Sequence, residues 1–220
     1  MKLYGALASP YVARVVLFAQ LKGVDLPYGE TPGGRPNSDE YKALNPIGKI
    51  PSLDIDGYCI PESETICEYL EDAYPEVSGM PADAVGRAQS RTISRIVDLY
   101  LSPISGALAR QVNPANRDTA VVDENAAQLA KVTGYLEHFM GAGPFVAGDR
   151  PTLGDCALGP HMAMFKVLVF DNFDSIPNPV EQGGRMQVWW EAMQGHEVCK
   201  PLLDEYAVAF DKMMAYFRGR

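Results

Sequence analysis

The chain has 220 residues, 47% of them hydrophobic, which suits one large domain or two small ones with an ordinary core. With 19 basic and 28 acidic side chains the net charge is −9 and the pI is near 4.8. That balance argues against nucleic acid or an anionic membrane as the main partner, although a local positive patch can still receive an anionic ligand. The cysteines Cys59, Cys67, Cys156 and Cys199 are scattered, without CxxC or zinc-ligand spacing. They read as free thiols in a reducing compartment, and no metal is expected. Met1 to Leu7 is too short an apolar run for a signal peptide, and Met162 to Phe170, interrupted by Lys166, is too short to span a bilayer. A soluble, cytoplasmic protein is expected.

In chain order, Lys2 to Leu7 reads as a strand weakened by Gly5. Ser9-Pro10 gives an N-cap with proline at the first helical position. Val12, Val15, Val16 and Ala19 then mark one buried helical face, and Gly23 a stop. Val24 to Tyr28 reads as a second strand, Gly29 to Pro36 as a loop, and Ser38 to Leu44 as one or two helical turns. Two short runs flank Asp56-Gly57, the signature of a hairpin. A further helix carries Ile66, Tyr69, Leu70 and Ala73 and ends at Pro75. The order β-α-β, short helix, β-β-α defines an α/β unit with a small mixed sheet. After the linker Ser78-Gly79-Met80-Pro81 the pattern is helical: Ala84 to Ser102, with a bend at Pro103 and Gly106; Asp123 to Met140; a helix opened by the capping box Thr152-Leu153-Gly154-Asp155 and kinked or shortened by Pro160; Arg185 to Gln194; and Val198 to Phe217.

The stretch Asn45 to Leu70 carries the functional signal. A Pro/Gly-rich loop ends in Ile50-Pro51, and Glu62-Ser63 opens a helix. Such a loop offers backbone groups and such a helix start receives an anion, so together they suit a peptide-like ligand. Asn45-Pro46-x-Gly48-Lys49-Ile50-Pro51 resembles the loop before the cis-proline of the cytosolic glutathione transferases. Glu62-Ser63-x-x-Ile66 is similar to their glutathione signature. Ser9-Pro10-Tyr11-x-x-Arg14-Val15 is similar to the active-site segment of the serine and cysteine branches, especially the tau and omega classes. Phe145-Val146-Ala147-Gly148-Asp149-x-Pro151-Thr152-Leu153-Gly154-Asp155 resembles the family's helical-domain capping segment.

The resemblance implies a thioredoxin-like glutathione-binding domain over residues 1–77 and an all-helical domain over 84–220. It also implies glutathione as cosubstrate, a small apolar electrophile, and a homodimer. A free thiol titrates near pKa ~8.5, so the enzyme must favour the thiolate. Ser9 is the implied sulfur partner, donating a hydrogen bond with help from the helix dipole; a plain N-cap is its structural alternative, and Tyr4 is its rival. Serine at this position argues against disulfide exchange, which needs a cysteine. Ile50 is implied to pair its backbone with the cysteinyl part, before a cis peptide to Pro51. Lys49 is implied to meet the glycyl carboxylate, with a solvated surface lysine as the alternative. Ser63 is implied to cap its helix and bind the γ-glutamyl carboxylate, and Glu62 to take the ammonium. Arg14 reads as an ion pair near the core, Glu64 and Glu68 as helix-face charges, Thr152 and Asp155 as folding residues. Asp98 is expected to reach the other subunit's glutathione. The electrophile pocket is expected near Ala8–Tyr11, Ile96, Tyr100, Ile104 and Phe217. The main functional expectation is conjugation. The alternatives are ether cleavage, dehalogenation or isomerisation by the same thiolate, and a non-catalytic binding protein of the same fold.

Overall fold

A computed structural model describes residues 1–218, with side chains through Tyr216. Its sheet has the order β2-β1-β3-β4, from β1 (Lys2–Tyr4), β2 (Tyr28–Gly29), β3 (Ser52–Ile55) and β4 (Tyr58–Pro61). β1 pairs parallel to β2 across helix α1 (Pro10–Leu21) and antiparallel to β3, so Leu3 lies between Tyr28 and Leu53. The β3–β4 hairpin turns at Asp56 (φ 52°) and Gly57 (φ 94°), the left-handed pair that a two-residue turn requires. Helices α2 (Asp39–Leu44) and α3 (Ser63–Ala73) complete a thioredoxin-like α/β domain.

Two strands are shorter than the sequence suggests. β1 stops at Tyr4 because the chain must turn into α1 at Gly5 (φ 151°), where a Cβ would lie 2.5 Å from the Val12 side chain. Of the expected second strand only Tyr28 pairs, joined by Gly29. α1 is buried continuously from Val12 to Ala19 rather than on one face. It packs on α3 on one side and on α7 (Leu153–Phe165) and α9 (Cys199–Arg218) of the helical domain on the other.

The helical domain begins with α4 (Ala84–Ile96), a π-helical turn Val97–Leu101, and α5 (Ser102–Ala109). The bend expected at Pro103 and Gly106 is thus absorbed one turn earlier. The widened turn directly precedes Pro103 in a continuous helix and accommodates the N–H that the proline lacks. α7 packs on α1, α4 and α9, while α6 (Thr119–Phe139) packs on α4, α5 and α8 (Arg185–Gly195), and α8 packs on α9. α7 likewise runs through Pro160 into a π-helical turn Lys166–Phe170. Leu153–Phe170 is therefore an 18-residue apolar helical stretch, longer than the sequence pattern implied, and 83% of it is buried inside the fold. It is the central core helix.

The capping box forms as expected. The buried Asp155 carboxylate accepts from the Thr152 N–H (2.7 Å) and hydroxyl (2.9 Å), the Val146 N–H (3.0 Å) and the Trp189 indole N–H (2.9 Å). One side chain thereby ties the preceding loop, α7 and α8 together. Burial pushes its pKa up against those four bonds.

Candidate active site

A cavity of about 500 Å³ lies between the Asn45–Pro51 loop, the start of α3 and the end of α4. The loop is built from its own side chains. Buried Asn45 donates to the Lys49 carbonyl (3.0 Å) and accepts from the Ile47 N–H (3.2 Å). The Tyr41 hydroxyl donates to the same carbonyl (2.8 Å). With its carbonyl held from two sides, Lys49 turns its side chain to the exposed rim of the cavity, and Ile50 follows along the wall. The Ile50–Pro51 peptide is cis. Neither the N–H nor the C=O of Ile50 makes a hydrogen bond among the described residues, so a strand-like edge faces the cavity unpaired.

The opposite wall is the first turn of α3. Glu62, rather than Ser63, occupies the N-cap, in a left-handed conformation (φ 67°, ψ 120°). Ser63 is the first helical residue and does not cap, which corrects the role the sequence suggested. The difference follows from the backbone: the first helical bond runs from the Ile66 N–H to the Glu62 carbonyl at 2.9 Å. The N–H groups of Ser63, Glu64 and Thr65 therefore have no helical partner, and all three residues line the cavity. That is an anion site at a helix N-terminus. A non-glycine residue held at positive φ beside it is the kind of strain found at ligand clamps.

Beneath the cavity, Arg14 of α1 is fully buried and makes a two-point contact with Asp98, its Nη1 donating to Oδ2 at 3.1 Å. Glu64 lies 3.9 Å from the same guanidinium and accepts from the Ser94 hydroxyl at 2.7 Å. Arg14 is thus the interior ion pair expected of it. Glu64 is not the ordinary surface charge its helical position suggested. Burial pushes its pKa up, with Ser94 and Arg14 acting the other way. Asp98 is held by Arg14 and lines the same cavity, with Arg95 3.7 Å away. Glu68 keeps a surface role, in an ion pair with Arg91 at 3.0 Å.

Lys49, Ile50, Glu62 and Ser63 all line the cavity; Ser9 and Tyr4 do not. Ser9 sits at the α1 N-cap in extended conformation, half-buried, with a side chain that makes no capping bond. Tyr4 points elsewhere, its ring edge-on to Tyr41 (6.3 Å between centroids) and 4.8 Å from the Lys2 ammonium. Ile96 and Ile104 are core residues, and Tyr100 is exposed against Tyr135. The Phe217 side chain lies outside the described residues. Tyr11, at the end of the Ala8–Tyr11 segment expected beside the electrophile, lines the cavity, and its hydroxyl meets Ser102 Oγ at 2.7 Å. Behind it, fully buried His161 is edge-on to the Tyr11 ring (5.1 Å). His161 Nδ1 lies 2.9 Å from the Ala157 carbonyl. A carbonyl only accepts, so Nδ1 carries the proton and Nε2 is a bare lone pair. Burial and nearby Arg14 lower its pKa to about 4.

The four cysteines are free. Burial pushes the thiols of Cys67, Cys156 and Cys199 up, which suits packing and not nucleophilic work. Among the described residues no three of His, Cys, Asp or Glu cluster as metal ligands.

A thioredoxin-like domain presenting an unpaired edge beside a cis-proline and a helix N-terminus, docked on a helical domain, defines a class of proteins that hold an extended, anionic peptide-like ligand. Residues 3–78 match the glutathione S-transferase N-terminal domain and residues 97–179 its C-terminal domain. The chain belongs to the glutathione S-transferase family, whose cosubstrate is glutathione. It is 33% identical over 174 residues to maleylpyruvate isomerase of a Ralstonia species, covering 74% of this chain and 81% of that protein. It is 32% identical over 206 residues to glutathione S-transferase 3 of Zea mays, covering 88% of each. Among solved structures it resembles a bacterial zeta-class maleyl pyruvate isomerase, with TM-score 0.71, 26% identity, and coverage of 92% of this chain and 96% of that one.

Proposed function

We propose that this protein is a glutathione-dependent cis–trans isomerase acting on a small unsaturated oxo acid, more than a general conjugating transferase. The observation that carries this reading is the similarity to maleylpyruvate isomerase along most of both chains. Glutathione, when bound, supplies a thiolate that adds reversibly to a carbon–carbon double bond conjugated to a carbonyl. The chain's own residues hold and orient it. Ile50 pairs its free backbone groups with the peptide. The N–H groups at the start of α3, with Ser63, receive the γ-glutamyl carboxylate, and Glu62 takes the ammonium. Lys49 meets the glycyl carboxylate, and Arg95 adds positive charge at the α3 end. Ser9 lies outside the cavity lining but two residues before Tyr11, which lines it, and its hydroxyl is uncommitted at the start of α1; it donates to a sulfur that reaches that end of the cavity.

The binding part of the reading is tested by calorimetry. Glutathione should bind at one site per chain, and adding glutamates' worth of negative charge nearby should weaken it: Lys49→Glu is expected to reduce affinity about tenfold, roughly the value of one charge-assisted hydrogen bond. No heat of binding at millimolar glutathione would remove the basis for the assignment.

A further inference from the structure

Resting on that reading, we infer that Tyr11, set by Ser102, is the catalytic hydrogen-bond donor to the carbonyl oxygen of the second substrate. Tyr11 is the second residue of α1 and lines the cavity; Ser102 opens α5 directly after the π-helical turn. Their oxygens are 2.7 Å apart, and neither hydroxyl has another hydrogen-bond partner among the described residues. Two hydroxyls carry two protons, and the bond between them uses one. Ser102 does not line the cavity and Tyr11 does. When Ser102 donates to the phenol oxygen, the Tyr11 proton is therefore the one left for a ligand. Donation into the phenol oxygen also strengthens the bond that Tyr11 makes outward.

The ring is held for this task. Its flank meets the Arg14 guanidinium (5.4 Å from ring centroid to Cζ) and His161 lies edge-on behind it (5.1 Å). Arg14 is tied to Asp98, and His161 is neutral and bonded to Ala157, so both supports are fixed. A donor held in advance costs little reorganisation as charge develops. When a nucleophile adds to the far carbon of a conjugated alkene, the π electron pair moves toward the carbonyl oxygen. Tyr11 hydrogen-bonds that oxygen while the charge is there and keeps its own proton; the pair returns to the double bond when the nucleophile leaves. The site would thus favour carbonyl-conjugated acceptors over alkyl halides, whose leaving group needs no such donor.

The test compares an α,β-unsaturated ketone with benzyl chloride as acceptors, in wild type, Tyr11→Phe, Ser102→Ala and Ser102→Thr. The ratio of kcat/KM for ketone over halide should fall about a hundredfold in Tyr11→Phe, the usual loss for one such donor. It should fall less in Ser102→Ala and return in Ser102→Thr. Independently, the ¹³C carbonyl resonance of a bound saturated ketone should lie downfield in wild type relative to Tyr11→Phe. Equal losses on both acceptors, or an identical carbonyl resonance, would overturn the role given to Tyr11. Wild-type protein without glutathione-dependent turnover would instead overturn the functional reading, and the carbonyl resonance would still decide on Tyr11.

Discussion

Arg14→Ala should lower the free energy of unfolding by about 3–5 kcal/mol, the usual cost of breaking a buried ion pair from one side. The arginine side chain is fully buried, while Asp98 and Glu64 each retain 17% exposure. Removing the guanidinium leaves two carboxylates facing each other across the space it filled, at the junction of α1, α3 and the π-helical turn after α4. Truncation also removes the stem that packs in the core. For a chain of this size the loss corresponds to a drop in melting temperature on the order of 10 °C. Arg14→Met with Asp98→Asn should recover part of the loss, because it removes the stranded charge along with the pair. Urea unfolding of the three proteins checks this; equal stability of Arg14→Ala and wild type would mean that the interior charge is held by something other than Arg14.

The second large effect is a dependence of stability on pH that belongs to His161. Its pKa is lowered to about 4 in the folded protein, against an ordinary value of 6.5. Between those values the unfolded chain binds a proton that the folded chain does not. Stability from this group is complete above pH 6.5 and is lost as pH falls toward 4, by about 3 kcal/mol in all. Arg14 and Asp98 are the charged groups that act on it. The raised carboxyls Glu64 and Asp155 work with opposite sign, because the folded state then holds their protons more tightly. Comparing wild type with His161→Gln cancels that contribution. The stability difference should shrink from pH 7 to pH 4.5 as wild type loses its advantage; a constant difference would mean that His161 is not held neutral.

Most of the fold was legible in the sequence because its signals are local. Pro10 at a helix start, Asp56-Gly57 at a hairpin and the Thr152–Asp155 box each specify their geometry within four residues. The π-helical turns were not legible: Pro103 and Pro160 look like breaks unless one knows that a widened turn or a surrounding core accommodates them. The cavity wall was read through Lys49, Ile50, Glu62 and Ser63, since each lies in one contiguous stretch. The Glu62 N-cap escaped because its left-handed backbone has no sequence signature in a glutamate. Tyr11 was legible as pocket lining, but its setting was not, for a different reason. Its partner Ser102 is 91 residues away and His161 further still, so only the tertiary fold brings the three together. Glu64 was misread likewise, since its burial depends on Ser94 and Arg14 from two other helices.

The proposed isomerisation is tested most directly by following maleylpyruvate and glutathione together by proton NMR in the presence of the protein. Conversion of the cis to the trans acid is expected, with the glutathione signals undiminished over many turnovers. Stoichiometric loss of free glutathione into a stable conjugate, with no trans acid formed, would contradict it and return the protein to the conjugating transferases.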